Sequence, residues 1–244
     1  MRGFLLLSLL LYSFFCSAQE SIRQENAPTV RKRLYSGNVG DSFTVYLKLP
    51  PEYRTETKRR FTTIYLLDAD IYFDIVVAMA EQYKQIGVMP PVIVAGIGYG
   101  SFEKMEKLRT RDFLYPKAPS REKMPNSGGG LAFHQFLERE LIPYLDSTYR
   151  TKPENRILMG HSFGGYFTLF ALLQNLKEQR NVYRSYIAAS PSLQYGNQYL
   201  LQQLQQSTSD FSLPRLVYTS LGDLEDKEDG KQEQPISAMF RAFL

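Results

Sequence analysis

Tryptophan is absent from the 244 residues, cysteine occurs once and histidine twice. The one cysteine, Cys16, allows no intrachain disulfide, so the fold must rest on its apolar core. Only His134 and His161 are present as imidazole bases, which restricts any acid–base chemistry. A concentrated basic face is also missing. Lysines and arginines alternate with acids, as in Lys104-Met105-Glu106-Lys107 and Arg121-Glu122-Lys123, and the formal net charge is +4. That is an ordinary solvated surface and argues against a nucleic-acid partner. Beyond the N-terminus no apolar run approaches the roughly 20 residues of a membrane-spanning helix. Internal repeats and long low-complexity tracts are absent too.

The N-terminus itself carries an export pattern. Met1-Arg2 gives a positive start, Phe4 to Phe15 is almost unbroken apolar sequence, and Cys16-Ser17-Ala18 supplies small residues for a signal peptidase. The run is too short to span a bilayer, and the bulky Phe15 before Cys16 does not suit lipid attachment. The expectation is a signal peptide over residues 1–18, cleaved after Ala18, and a secreted or periplasmic protein without a membrane partner. Loss of Arg2 lowers the charge to +3, and the remaining 226 residues suffice for one domain. Residues 19–33 are polar and read as a flexible lead-in, and residues 34–244 as the domain.

Strands are expected at Phe43–Leu49, Thr62–Leu67, Val92–Ile97, Asn155–Met159, Tyr186–Ala189 and Leu216–Thr219, from β-propensity and alternation or continuous apolar character. Apolar residues at helical spacing predict helices over Tyr72–Ile86, Leu131–Tyr149 and Phe163–Leu176. Residues 99–130, with three prolines and Gly128-Gly129-Gly130, read as a long irregular loop, functional or mobile. Buried strands alternating with helices imply an α/β fold: a mostly parallel, doubly wound sheet with helices on both faces.

The strongest chemical signal is Gly160-His161-Ser162-Phe163-Gly164-Gly165. A strand that turns sharply into a helix at Ser162 needs glycines on either side for close strand–helix approach, and it presents the serine hydroxyl at the carboxyl end of the sheet. Ser162 is therefore the candidate nucleophile. Phe163 N–H at the helix start is the candidate oxyanion donor. A second donor is expected from the loop after Thr62–Leu67, from Ala69 or Asp70. Asp68, Asp70 and Asp74 lack the remaining ligands of a calcium loop, so no metal is expected. After Leu216–Thr219, Asp223 or Glu225 stands where a triad acid belongs in the order serine, acid, histidine. His161 lies inside the elbow with its side chain leaving in another direction, and His134 precedes the nucleophile on a helix, where a packed or surface role is expected. Neither fits the base.

These motifs resemble the esterase family of α/β-hydrolases that includes enterochelin-type siderophore esterases and feruloyl esterases. The resemblance runs through Ile64-Tyr65-Leu66-Leu67-Asp68, Arg111-Asp112-Phe113-Leu114-Tyr115-Pro116, Gly128-Gly129-Gly130, Glu140 to Asp146, Tyr149-Arg150-Thr151, Gly160 to Gly165, Ser190-Pro191-Ser192 and Gly222-Asp223-Leu224-Glu225. It implies Ser-His-acid catalysis on a small-molecule or glycan-linked carboxylic ester, with no metal or organic cofactor, and an oxyanion hole from Phe163 N–H and the Asp68-Ala69-Asp70 loop. The pattern departs from the family at Gln194-Tyr195, where aromatics including tryptophan are usual. It departs again in having no histidine after Gly165. Residues 236–244 read as part of a helix with no stop signal. The expectation is a fragment lacking its last strand and catalytic histidine, poorly soluble and nearly inactive alone. A non-catalytic binding protein and an acyltransferase are the alternatives.

Overall fold

The computed structural model describes residues 28–207 and 216–222. The described residues form seven strands, most of them around apolar and β-branched runs: β1 (Val30–Ser36), β2 (Asp41–Lys48), β3 (Phe61–Leu66), β4 (Val92–Gly98), β5 (Thr151–His161), β6 (Ser185–Ala189) and β7 (Leu216–Ser220). They make one sheet in the order β1-β2-β4-β3-β5-β6-β7. β1–β2 and β2–β4 pair antiparallel, and every pairing from β4 through β3 to β7 is parallel. The helices are α1 (Glu52–Thr55), α2 (Ala69–Gln85), α3 (Phe102–Phe113), α4 (Gly130–Phe136), α5 (Ile142–Thr148), α6 (Phe163–Lys177) and α7 (Tyr195–Gln206).

The sheet's two faces are covered unequally. On one, α2 lays Ala69, Phe73, Val76 and Ala80 against Tyr46, Ile64, Leu66, Val92 and Val94. The other face holds the larger core, where α3 to α7 meet the alternate strand residues, among them Val45, Tyr65, Ile93, Leu158, Tyr186 and Ala188. In the middle of this core α6 is buried almost all round, from Gly164 through Leu173. Its apolar circumference follows from being enclosed. Each large side chain sealed here, such as Phe167 or Phe170, contributes about 1.5–3 kcal/mol. Among the described residues β1 and β7 are the two outer strands, and Leu216 and Tyr218 of β7 are each 62 % exposed.

β3 leads through α2 to β4 on one side, and β5 leads through α6 to β6 on the other. Strand order thus reverses between β3 and β5. Chains leaving the carboxyl ends of these two strands diverge and open a crevice, the usual ligand position in such sheets.

Three expectations need correction. Residues 99–130 are not one irregular loop, since α3 fills Phe102–Phe113 and a 3-10 turn follows at Ser120–Glu122. The helix expected over Leu131–Tyr149 is a composite: α4, a π-helical segment at Leu137–Leu141, then α5. The polar lead-in ends earlier than residue 33, because Val30–Ser36 pairs along β2 as an edge strand. Residues 1–27, which hold the expected signal peptide and most of that lead-in, lie outside the described residues, as does 223–244.

Candidate active site

The elbow is built as its sequence demands. β5 ends at His161, α6 begins at Phe163, and Ser162 between them has φ 57° and ψ −118°. This left-handed conformation costs a non-glycine residue about 1–3 kcal/mol and persists only where its surroundings enforce it. Here they do. Ser162 N–H donates to Ala189 O at 3.0 Å, and Ser162 O accepts from Tyr166 N at 2.9 Å and from Ser192 N at 3.2 Å. Side chains are excluded where strand and helix close up. A Cβ on Gly160 would stand 2.3 Å from Gly164 O, and one on Gly165 would stand 2.9 Å from Ala189 O.

The first N–H groups of α6, beginning at Phe163, have no acceptor within the helix. They form a ready anion site beside the serine. Ser162 Oγ lies 3.4 Å from Ser192 Oγ.

Across the crevice, β3 passes into α2 through Asp68, also left-handed at φ 53°. β3 and β5 are paired (Leu66 opposite Met159), and Leu67 N–H donates to Met159 O at 2.9 Å. Ala69 and Asp70 are the first two residues of α2. Their N–H groups are therefore likewise without intrahelical acceptors, at a second helix start beside the elbow. The Asp68 carboxylate is buried and accepts two bonds from Arg109, from Nε at 3.0 Å and Nη2 at 2.7 Å. Burial pushes the Asp68 carboxyl up, and Arg109 opposes that shift. The same burial works against charge on Arg109, but Asp68 outweighs it and holds the guanidinium protonated.

Arg109 Nη2 also reaches His161 O at 3.5 Å, and its guanidinium sits 5.2 Å from the Phe163 ring centroid. One arginine thus ties the β3–α2 turn to the elbow. The Asp70 carboxylate has a different task. It accepts from Tyr46 Oη (2.6 Å), Tyr99 N (2.6 Å) and Gly100 N (2.9 Å), fixing the end of β4.

Neither histidine is hydrogen-bonded to Ser162. His161 turns toward α2, with Nδ1 2.9 Å from Tyr72 Oη. His134 is packed inside, 4 % exposed, with Nε2 3.3 Å from Glu138 Oε1. Burial lowers its pKa to about 4, so it is neutral at physiological pH. Asp223 and Glu225 lie outside the described residues. The strand that leads to them is placed: Ser190 N–H donates to Ser220 O at 2.8 Å, which brings the end of β7 beside the Ser190-Pro191-Ser192 loop.

The segment between α3 and α4 is pinned to the core. Tyr166 Oη donates to Tyr115 O at 2.5 Å, Tyr195 Oη to Pro116 O at 2.6 Å, and Gly129 N to Arg111 O at 2.9 Å. Arg109, Ser192 and Tyr72 are site residues to which sequence reasoning assigned no role. Ser192 belonged to a quoted motif, whereas nothing local distinguishes Arg109 from its charged neighbours.

The sequence model of the family described as "Putative esterase" matches residues 36–225. Among curated proteins, the chain is 31 % identical over 179 residues to the ferri-bacillibactin esterase BesA of Bacillus subtilis, covering 68 % of this chain and 60 % of that protein. It is 30 % identical over 152 residues to the apo-salmochelin esterase of Escherichia coli, covering 59 % of this chain and 45 % of that protein. It therefore spans about half of these relatives' lengths. Among solved structures, the BES protein from Bacillus cereus superimposes with a TM-score of 0.67 at 24 % identity, over 84 % of this chain and 77 % of that one. This last likeness bears on the fold, an α/β-hydrolase.

Proposed function

The chain belongs to the putative esterase family, and on that premise we propose that it is a serine-dependent hydrolase of carboxylic esters, acting on siderophore esters. The observation that carries this reading is the strained, backbone-locked Ser162 at the start of α6, facing a second helix start at Ala69. The two relatives, both siderophore esterases by name, support the substrate class.

In this reading Ser162 Oγ attacks the ester carbonyl carbon while a base removes its proton. Negative charge moves to the carbonyl oxygen, where Phe163 N–H and an N–H of Ala69 or Asp70 stabilise it. Collapse expels the alcohol with the transferred proton, and water then cleaves the acyl-enzyme. His134 is buried and His161 is turned to Tyr72, so neither takes the Ser162 proton in this scheme. The base is thus not one of the two histidines of this sequence, and Asp223 or Glu225 stands where the acid that orients such a base belongs. Export through the Met1–Ala18 leader belongs to the same proposal, and a mature protein beginning at Gln19 in the extracytoplasmic fraction would support it.

The test is turnover by the product of the native gene on a siderophore ester, a feruloyl ester and a short aryl ester, beside Ser162→Ala. Siderophore hydrolysis is expected to be fastest, and Ser162→Ala to lose at least about 10⁴ in rate. Equal turnover by the two proteins would remove Ser162 from the mechanism. Siderophore binding without turnover would favour the binding-protein alternative, and ester formation with an added alcohol an acyltransferase.

A further inference from the structure

We propose that Ser192 is a second catalytic hydroxyl, which donates a hydrogen bond to Ser162 Oγ whenever that oxygen carries negative charge. The inference rests on Ser162 being the nucleophile. Two backbone bonds lock the segments together, Ser162 N to Ala189 O at 3.0 Å and Ser192 N to Ser162 O at 3.2 Å. The loop between these partners is itself held in an uncommon shape. Ser190 has φ 40°, its N–H is bound to Ser220 O, and Pro191 packs where Gly165 has no side chain. Leu193 N–H donates to Pro191 O at 2.7 Å and Tyr195 N–H to Ser192 O at 3.2 Å, closing the turn behind Ser192.

The outcome is a serine 9 % exposed whose Oγ stands 3.4 Å from the nucleophile. Among the described residues it is the one side chain within hydrogen-bond reach of Ser162 Oγ. A strong O–H···O bond is shorter, at about 2.7–2.8 Å. Catalytic contacts, though, commonly tighten only when charge develops. Ser162 Oγ gains negative charge twice: as its proton leaves during attack, and again when it is expelled from the acyl-enzyme. Hydrogen bonds to an ionised acceptor are about twice as strong as neutral ones. Ser192 keeps its own proton throughout, so the proton from Ser162 still passes to the base and on to the departing alcohol. If the hydroxyl only filled space in a turn, Ser192→Thr would slow the reaction as much as Ser192→Ala.

An organophosphofluoridate isolates this step from any choice of ester. A bond forms between Ser162 Oγ and phosphorus, the P–F bond breaks, fluoride departs and the serine proton goes to the base. The rate constant for labelling the native gene product is measured across pH for native protein, Ser192→Ala and Ser192→Thr. Ser192→Ala is expected to slow labelling about tenfold and to leave the pH midpoint, which belongs to the base, in place. Ser192→Thr keeps the donor and is expected to stay within about threefold of native. A native rate in Ser192→Ala overturns the proposal. So does equal slowing in Ser192→Ala and Ser192→Thr, which would mark a structural role. Failure of the native protein to label at all would instead refute the reading of Ser162, and this inference with it.

Discussion

Two turns face each other across the crevice, and they are held in opposite ways. Ser162 and Asp68 both have left-handed backbones, φ 57° and 53°, at the ends of the paired strands β5 and β3. Backbone alone fixes the first: three hydrogen bonds to Ser162 and glycines where strand and helix touch. The second is held by a buried ion pair to Arg109, 41 residues along the chain. The first device uses backbone groups and close packing, with no charged side chain. The second depends on two desolvated charges, whose net contribution is small but whose separation is costly. The candidate nucleophile is therefore set by backbone bonds of the elbow and the neighbouring Ala189–Ser192 segment, while the candidate second oxyanion donor is registered to it through Arg109.

Substitutions can break the two devices separately. The largest effect is expected from Gly160→Ala, whose Cβ would overlap Gly164 O at 2.3 Å. Loss of about 4 kcal/mol, or failure to fold, should appear in chemical denaturation. Asp68→Asn keeps a side chain that tolerates the left-handed turn but leaves the Arg109 charge buried without its counter-charge. It should cost about 3 kcal/mol. The double change Asp68→Asn with Arg109→Met should recover most of that stability without restoring esterase activity. Full recovery of activity would show that the ion pair does not register the oxyanion donor.

Acid offers a control remote from both turns. Burial holds the pKa of His134 at about 4 in the folded protein, against 6.5 for an exposed histidine. The unfolded chain therefore binds this proton first as pH falls. The stability that depends on neutral His134 is complete above pH 6.5 and is lost between 6.5 and 4, by roughly 3 kcal/mol. Denaturation curves across that window should be flatter for His134→Leu, while labelling of Ser162 at neutral pH stays unchanged. The smallest effect, about 1 kcal/mol, is expected from Arg109→Lys, which keeps the charge but not the two-bond geometry. Its signature should be a lower kcat with KM nearly unchanged, measured on the preferred ester.

The contrast between the turns also explains what could be read from residue order. The elbow is legible because its requirements, a strand, small residues at fixed spacing and a helix, are all adjacent in sequence. The strand β4 is legible as an unbroken apolar run, and β3 and β6 from the shorter runs Ile64–Leu67 and Tyr186–Ala189. The helix α3 was hidden because it buries only Met105, Asp112 and Phe113, leaving almost no apolar periodicity. Its start signal was there in Ser101, which caps Lys104 N–H at 3.3 Å, followed by the Glu103–Lys107 pair. The strand β1 is mostly exposed and polar, and only its ladder with β2 reveals it. Arg109 is one of several basic residues in a charged stretch. Its selection by Asp68 is decided where α3 docks over the crevice, which no local pattern encodes.

The most direct test of the account is the site of covalent labelling. The native gene product is treated with an organophosphofluoridate, digested and mapped by mass spectrometry. One adduct at Ser162, absent from Ser162→Ala, is the predicted result. An adduct on another residue, or none, would contradict the assignment of Ser162 as the nucleophile.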